Sequence, residues 1–418
     1  MEPQLFEIGA DVVEALDPAL QPLLERIHGT DVRPRCLCVA GGVEMYVARH
    51  WRYVIKRLPG TGKSHAPSCP AYELDPGVSG REQLADAIDE RAGQYLLRVD
   101  FPWTRSVRNS DEGERAITRL EGECGRKNIR RMSLKALTHF LFDQAGFTRW
   151  SPAMDGKRNQ WVLLKYLQQA AAELIIQGVP LSERLYVPEP FSEATHQAAA
   201  ERRREKLSFL QPAEGRYPLA VVIGEFKGVE RSVSGYRVWI KHLPDAPLLA
   251  SGVTWQRIER SFATVLESRD ADGPVRARLV MTALIRARQE NTYELDTACL
   301  SLSSDQWILV DHHRELPLVN ALVEQRRRFF KPLRFDLRSA APIPNVLLLD
   351  AGRQPVAMHV LSPFMRPAER HAKEVAVASS AGPVWTWETG TPLPTLPAID
   401  WALPGAGGVR LGRRTAKL

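Results

Sequence analysis

Residues 36–69 contain the most informative functional motif in the chain: CLCVAGGVEMYVARHWRYVIKRLPGTGKSHAPSC. Two cysteines stand at the start of this stretch, and a histidine and a third cysteine stand at its end: Cys36, Cys38, His65 and Cys69. Two β-rich runs lie between them, at 43–49 and 52–58, and the short polar turn that joins them predicts a β-hairpin. Because a hairpin returns the chain to its start, the two pairs of side chains are expected to converge.

The four converging side chains have the chemistry of a metal site. Thiolates and imidazole are the ligands that zinc prefers, and four protein ligands make a structural rather than a catalytic site. The sequence therefore predicts a zinc-ribbon-like β module with a structural Zn²⁺ bound by Cys36, Cys38, His65 and Cys69. A CxC pair is less usual than CxxC, so two alternatives stay open: reduced thiols without a ligand, and an iron–sulfur or redox centre. Cys124 and Cys299 are predicted to be ordinary core residues.

The segment PGTGKS, at residues 59–64, looks like the end of a phosphate-binding loop. The full motif, GxxxxGK[ST], needs a glycine at position 57, where this chain has Arg57. Such a loop also opens a helix, whereas Pro67 and Pro70 follow here. We therefore predict that no nucleotide binds between Gly60 and Ser64, and that the glycines turn the chain from the hairpin into the metal site.

The composition is that of a globular protein with several domains. The chain has 418 residues, of which 44% are hydrophobic and 25% charged, which excludes wholesale disorder, a collagen-like repeat and a coiled coil. It has no run of about 18 apolar residues and no signal peptide, so no membrane partner is expected. Five cysteines form an odd and sparse set, which favours a reducing, cytoplasmic location.

The formal net charge of +7 is unevenly distributed. The first 30 residues hold six acids and one arginine. Four later segments are basic: 126–135, 202–206, 326–334, and the tail with Arg410, Arg413, Arg414 and Lys417. A solvated helix face explains any single cluster. Four clusters in separate modules favour DNA as a partner.

Residues 126–200 predict a winged-helix-like module, with two helices that begin after Ser133 and near Asn159 and an extended segment that follows them. Basic side chains and a tryptophan surround the start of the second helix, where the helix dipole disfavours cations. Such groups can contact phosphates and stack on bases. The predicted DNA-contacting residues are Arg126, Lys127, Arg130, Arg131, Arg149, Trp150, Lys157 and Arg158. The alternative is a helical hairpin packed on a neighbouring domain.

Residues 201–362 predict a mixed α/β domain, and the last part of it is similar in order to the core of PD-(D/E)xK nucleases. That chemistry needs two carboxylates for Mg²⁺ and a lysine that polarises water. The closing strand has His359 and Leu361 where the motif has an acid and the lysine. The sequence therefore leaves open a degenerate nuclease-like fold or an unrelated α/β core, and assigns no catalytic activity firmly. The catalytic candidates are Glu324, Asp336 and Asp350.

The predicted fold is thus α+β with several domains. Residues 1–125 form an acidic helix and the zinc-ribbon-like module, 126–200 the winged-helix-like module, and 201–362 the mixed α/β domain. Residues 363–418 are rich in proline and basic residues, which is typical of a disordered tail.

Several unusual stretches, in order, resemble the bacterial domain-of-unknown-function family 1173. They are CLCVAGGVEMYVAR, TGKSHAPSCPAYE, LKALTHFLFDQAGFTRWSP, LYVPEPF, and FFKPLRF followed by PNVLLLD. The resemblance covers about residues 30–362 and implies that the Cys/His set belongs to the family pattern. It also implies a context, because such proteins tend to be encoded on plasmids and integrative conjugative elements.

The combined hypothesis is a zinc-stabilised DNA-binding accessory protein of a bacterial plasmid or integrative conjugative element. One alternative is a metal-dependent nuclease of the PD-(D/E)xK type. The other is a protein–protein scaffold in a conjugation or maintenance complex, which would have protein partners of the mobile element.

Overall fold

The computed structural model describes residues 4–49, 52–58, 60–74, 76–91, 94–106, 131–270, 277–289, 291–335 and 343–400. Five residues of interest lie outside these ranges, as does the basic tail beyond residue 400: Cys124, Arg126, Lys127, Arg130 and Asp336. The described ranges contain ten α-helices, and their 23 strands form five sheets. This composition confirms the mixed α+β class. None of the described helices has the length and apolar character needed to cross a membrane.

The N-terminal module is an antiparallel sheet with the strand order β2-β1-β3-β4-β5 and one helix. Its elements are β1 (Leu5–Ile8), β2 (Asp11–Glu14), α1 (Leu20–Ile27), β3 (Arg35–Cys36), β4 (Val43–Arg49) and β5 (Tyr53–Arg57). The predicted hairpin is the β4–β5 pair.

The prediction of a helix at the start of the chain holds only for α1. The preceding residues form the β1–β2 hairpin, because Phe6 and Ile8 alternate toward the core and Gly9 turns the chain with a φ of +64°. In α1 the buried residues follow a helical period instead: Leu20, Leu24 and Ile27.

The middle of the chain combines helices with a second sheet of order β11-β10-β7-β6. Its elements are α2 (Pro76–Ser79), β6 (Ile88–Arg91), β7 (Gln94–Leu97), β8 (Thr104–Ser106), α3 (Leu134–Gln144), β9 (Arg149–Trp150), α4 (Gln160–Ala172), β10 (Leu174–Ile176), β11 (Val179–Pro180), α5 (Leu181–Arg184), β12 (Leu185–Tyr186) and α6 (His196–Lys206). The helix starts agree with the sequence, since Ser133 and Asn159 cap α3 and α4 through their side chains.

The next segment forms a closed barrel of five strands. The elements of this segment are β13 (Arg216–Pro218), β14 (Ala220–Ser232), β15 (Gly235–Ile240), β16 (Leu248–Ala250), α7 (Gly252–Ser261), α8 (Ala263–Asp270), β17 (Arg278–Gln289), β18 (Thr292–Ser303) and β19 (Leu309–Val310). The first half of β14 pairs with β17 and its second half with β15. Because β16 pairs with β18 and β18 with β17, the ring runs β14-β15-β16-β18-β17 and back to β14.

The barrel is filled and covered by apolar side chains. Val238 and Ile240 of β15 point into the barrel core, and Trp255 of α7 stacks on Phe226 there. A β-carbon at Gly224 would lie 2.4 Å from the Ile240 side chain, so glycine is required where β14 approaches β15. Helix α3 covers the outer side of β14, β17 and β18 and packs its apolar face on them.

The C-terminal module is a sheet of order β23-β22-β21-β20-β9 with two helices. Its elements are α9 (Leu316–Glu324), β20 (Phe329–Phe330), β21 (Val346–Leu348), β22 (Val356–Leu361), α10 (Pro367–Ala378) and β23 (Val384–Glu388). The last two elements correct the prediction that residues 363–418 form a disordered tail. Residues 367–388 are ordered because β23 pairs in parallel with β22 and its Trp387 is buried in the core of the barrel and C-terminal sheet.

Candidate metal centre

Four side chains from two separate segments meet beside the N-terminal sheet. Cys36 ends β3 and Cys38 follows it, while His65 and Cys69 lie in the loop after β5. Their ligating atoms all lie within 4.8 Å of one another, so the cluster could hold a metal ion. No other group of His, Cys, Asp or Glu side chains in the described ranges comes together in this way. The convergence expected from the hairpin is therefore present.

The distances between the ligating atoms fit a tetrahedral ion. The sulfurs of Cys36 and Cys69 are 3.7 Å apart, and Nδ1 of His65 lies 3.3 Å from the sulfur of Cys38 and 3.7 Å from that of Cys69. Zn–S bonds of ~2.3 Å and Zn–N bonds of ~2.0 Å at tetrahedral angles give S···S of ~3.8 Å and S···N of ~3.5 Å. The donor set and its spacing thus suit zinc.

The surroundings of the cluster stabilise thiolates. Cys36, Cys69 and His65 are buried, and Cys38 is half-buried. Three N–H donors point at the sulfurs: the Gln4 amide at 3.4 Å from Cys36, the Ala66 backbone at 3.5 Å from Cys38 and the Ala71 backbone at 3.4 Å from Cys69. Such donors around a ligand orient it and tune its affinity for metal.

The pKa values of the cysteine thiols are shifted in different directions. Hydrogen bonds from Cys38 and Cys69 lower the pKa of the Cys36 thiol, because they stabilise its thiolate. The pKa of Cys69 is raised, because its thiol donates to Cys36. A bound cation would favour the thiolate of all three, so proton release accompanies metal binding.

The loop that carries His65 and Cys69, residues 60–74 (the metal loop), is closely packed. A β-carbon at Gly62 would lie 2.2 Å from Cβ of Glu73, so glycine is required where the loop closes on itself. Arg328 donates to the Ser68 carbonyl at 3.4 Å, which ties the loop to the C-terminal module. Further contacts follow from Arg149, which donates to the Tyr72 carbonyl, and from the Arg57–Glu73 ion pair. The metal loop therefore connects the N-terminal module to the C-terminal module.

Five of the eight predicted DNA-contacting residues lie within the described ranges, and these five separate into two groups. Arg131 and Lys157 are exposed. Arg149, Trp150 and Arg158 instead hold the loop between α3 and α4. Trp150 is only 2% exposed and lies in the core. The other three, Arg126, Lys127 and Arg130, lie outside the described residues.

The contacts of Arg158 give it a structural role. Its guanidinium donates to the backbone carbonyls of Gly146, Phe147, Arg149 and Gln306, and it lies over the Phe147 and Trp150 rings. Burial lowers the pKa of Arg158 to about 10. A guanidinium that already serves four carbonyls is not available to phosphate.

An exposed face of α4 was missed by the sequence reasoning. Trp161 is 57% exposed and Tyr166 is 44% exposed, with Lys165 between them and Lys157 just before the helix. The signal was present in the sequence, because Trp161 and Lys165 are four residues apart and out of phase with the buried leucines. Two large aromatic side chains are thus exposed on one helix, together with two lysines.

The nuclease candidates are not arranged as a metal site in the described residues. Asp350 is buried and accepts hydrogen bonds from the Arg327 guanidinium at 2.7 Å and from the Arg328 backbone at 2.6 Å. Glu324 is exposed at the end of α9. Asp336 lies outside the described residues. Asp350 therefore serves to neutralise Arg327.

A second group of charged residues, the buried charge cluster, lies between the C-terminal sheet and its helices. Its members are Asp311, Glu315, Lys331, Arg334, Glu369 and Lys373. Arg334 and Glu369 form an ion pair at 2.7 Å, and Lys373 Nζ donates to Asn345 Oδ1 at 2.5 Å. Burial lowers the pKa of Lys373 to about 8. Sequence reasoning missed this cluster because its members follow no common motif.

Comparison with known proteins places the chain in a family. A family model described as a protein of unknown function, DUF1173, matches residues 6–390. No curated protein and no solved structure matches the chain.

Proposed function

We propose that this chain, which belongs to the DUF1173 family, is a zinc-stabilised protein that binds duplex DNA. The observation that carries the proposal is the exposed face of α4. Trp161, Lys165 and Tyr166 project from it, and Lys157 precedes it, while the opposite side of the helix is buried. The accessory role on a plasmid or integrative conjugative element remains part of the proposal.

The position of α4 in the chain supports a DNA-binding role for this face. Helices α3 and α4 are followed by the short β10–β11 hairpin, which is the element order of a winged helix. In helix-turn-helix proteins the second helix enters the major groove. Lys157 and Lys165 would neutralise phosphates, and Trp161 offers an apolar surface to sugars and bases.

Zinc is the ion proposed for the Cys/His cluster. Three sulfurs and one imidazole nitrogen match the soft to borderline character of zinc, and four protein ligands leave no open position for substrate. The ion would hold the metal loop, and with it the contact between the N-terminal and C-terminal modules. Its role in DNA binding would thus be indirect.

The experiment is a fluorescence-anisotropy titration of a 30-base-pair duplex over increasing salt. The variant Lys157→Ala/Lys165→Ala is compared with Arg33→Ala/Arg353→Ala, which removes the same charge from other exposed positions. We expect the first pair to weaken binding at least tenfold and to reduce the salt slope by about 2, because each phosphate contact contributes about 0.9. Equal duplex affinities for the two variants, or an affinity that does not change with salt concentration, would contradict the proposal.

A nuclease-like but inactive C-terminal module is a second candidate. The order of α9, the antiparallel strands β20 to β22, α10 and the parallel strand β23 is similar to that of the PD-(D/E)xK core. Near the closing strand, Lys373 is bonded to Asn345, and His359 stands where an acid would be needed. Incubation with plasmid and Mg²⁺ should give no cleavage. Mg²⁺-dependent cleavage that co-purifies with the folded chain would instead mean that the module is an active nuclease.

A further inference from the structure

The five-stranded barrel has the connectivity of an OB-fold. If β14, β15, β16, β17 and β18 are counted as first to fifth, the ring order is 1-2-3-5-4-1, and the third strand pairs in parallel with the fifth. Helices α7 and α8 lie between the third and fourth strands, as the OB-fold helix does. The first strand is shared by both halves of the barrel and carries a bulge between Phe226 and Gly228. OB-folds bind oligonucleotides or oligosaccharides on the face of their second and third strands and on adjacent loops.

Within the described ranges, the outward-pointing side chains of β15 on that face are exposed or half-buried. Helix α3 covers the other side of the barrel, where Thr138 donates to Thr282 of β17 at 2.8 Å and Val221 and Ile223 of β14 are buried. On β15, Val238 and Ile240 point into the barrel, so the intervening Arg237 and Trp239 point outward. Arg237 is exposed and Trp239 is half-buried. The covered and uncovered sides of the barrel are thus distinct.

The β14 position opposite Trp239 has no side chain, and the described residues leave room for one there. The residue paired with Trp239 on β14 is Gly228, and a β-carbon there would meet nothing within 4 Å. A base can therefore reach an aromatic ring across a position that has no side chain. Stacking of this kind is the common means by which OB-folds hold single strands without sequence preference.

Charge on the same face favours a polyanion over an oligosaccharide. Two exposed cations lie near Trp239, Lys227 at the bulge of β14 and Arg237 on β15. Arg231 pairs with Tyr236 and so lies on the other side of the sheet, with Val238. Glu230 is the exposed acid that lies opposite Arg237. The turn to β15 carries Val233, which is fully exposed. The face thus combines two cations and one acid with an aromatic ring, and cations beside aromatic rings are the usual components of single-strand-binding grooves.

We infer that this barrel face binds single-stranded nucleic acid, with a base stacked on Trp239 over Gly228 and with phosphates at Lys227 and Arg237. The inference goes beyond the duplex contact proposed for α4 and does not depend on it, because the two surfaces share no residue.

The test is anisotropy of a labelled 20-nucleotide oligo-dT against the full chain. Gly228→Val should block the space above Trp239 without a steric clash, since a β-carbon at this position meets no other atom within 4 Å. Trp239→Leu removes the ring, and Trp161→Leu is the matched aromatic control on α4. We expect the first two variants to bind oligo-dT about tenfold more weakly and duplex unchanged, because base stacking contributes of this order. Trp161→Leu should do the reverse.

Two results overturn the inference. One is binding of oligo-dT that neither Gly228→Val nor Trp239→Leu weakens while thermal melting shows both variants folded. The other is no binding of oligo-dT at low salt by the unchanged chain. If Trp239→Leu fails to fold, Arg237→Ala takes its place, because its side chain is exposed. Loss of duplex binding alone in the Trp161→Leu variant leaves the barrel inference intact.

Discussion

Lys331 Nζ lies 3.0 Å from Glu315 Oε2, and the two side chains are 1% and 3% exposed. An ion pair this deeply buried is costly to break, because the remaining charge has no water around it. Glu315→Gln should therefore lower the free energy of unfolding by about 3 kcal/mol in urea titrations.

The control for this change is Glu324→Gln at the end of α9, the helix that Glu315 immediately precedes. Glu324 is exposed, so its loss should change the unfolding free energy by less than about 0.5 kcal/mol. Equal effects at both positions would mean that the buried pair contributes no more than a surface charge does.

Metal content should track the Cys/His cluster. We expect about one zinc ion per chain by elemental analysis, since four ligands define a single tetrahedral site. Cys36→Ser should reduce this content well below one and lower the unfolding free energy by more than about 3 kcal/mol, because the ion holds the metal loop in place.

Cys299→Ser is the matched control, because Cys299 is also buried but lies against α3 and not near the cluster. Its zinc content should stay at that of the unchanged chain, and a chelator should still lower its melting temperature. Zinc well below one per chain in freshly purified, unchelated protein would remove the metal assignment.

Two buried histidines should make the protein sensitive to acid. Burial lowers the pKa of His139 and of His359 to about 4, against an ordinary value of 6.5. Between pH 6.5 and 4 the unfolded chain binds more protons than the folded one, so stability falls as the pH falls through this window. Each histidine should lower the free energy of unfolding by about 2 kcal/mol at pH 5 relative to pH 7.

The measurement is urea unfolding at pH 7 and pH 5. His359→Gln should remove its share of the difference, because the unfolded chain then has one fewer histidine to protonate. His371→Gln should leave the difference as it is, since His371 is exposed on α10. The idea fails if His359→Gln and the unchanged chain lose stability equally on acidification.

Adjacent basic residues before α4 should behave in opposite ways. Arg158→Met should lower the unfolding free energy by about 3 kcal/mol, because it leaves several buried carbonyls without a donor. Lys157→Met should leave stability unchanged and weaken duplex binding, since Lys157 is exposed. Thermal melting and anisotropy on both variants distinguish the two roles, and a stable Arg158→Met variant would contradict the structural one.

The metal cluster was predictable because its geometry is local. One hairpin separates Cys36 and Cys38 from His65 and Cys69, so chain direction alone brings them together. The β1–β2 hairpin before α1 was not predicted, although its signal is also local. The acids of the first 30 residues suggest one face of a helix, but the alternation of Phe6 and Ile8 and the turn at Gly9 favour strands.

The barrel and the buried charge cluster could not be read in the same way. The ring closes through pairings such as Ala220 with Ile285 and Leu249 with Glu294, which no short pattern specifies. The partners Arg334 and Glu369 are 35 positions apart, and each looks like a surface residue in its own segment. Burial of such charges follows from tertiary packing, which periodicity does not report.

The C-terminal strand offers a direct test of the corrected tail. Trp387 is 7% exposed, and its indole donates to the Thr391 carbonyl at 3.0 Å. Trp387→Ala should lower the unfolding free energy by about 3 kcal/mol, as a large-to-small change in a core does. Thr386→Ala, at the exposed neighbouring position, should have almost no effect. In a disordered tail the two substitutions would be equally silent, so thermal melting of this pair decides whether β23 completes the sheet in solution.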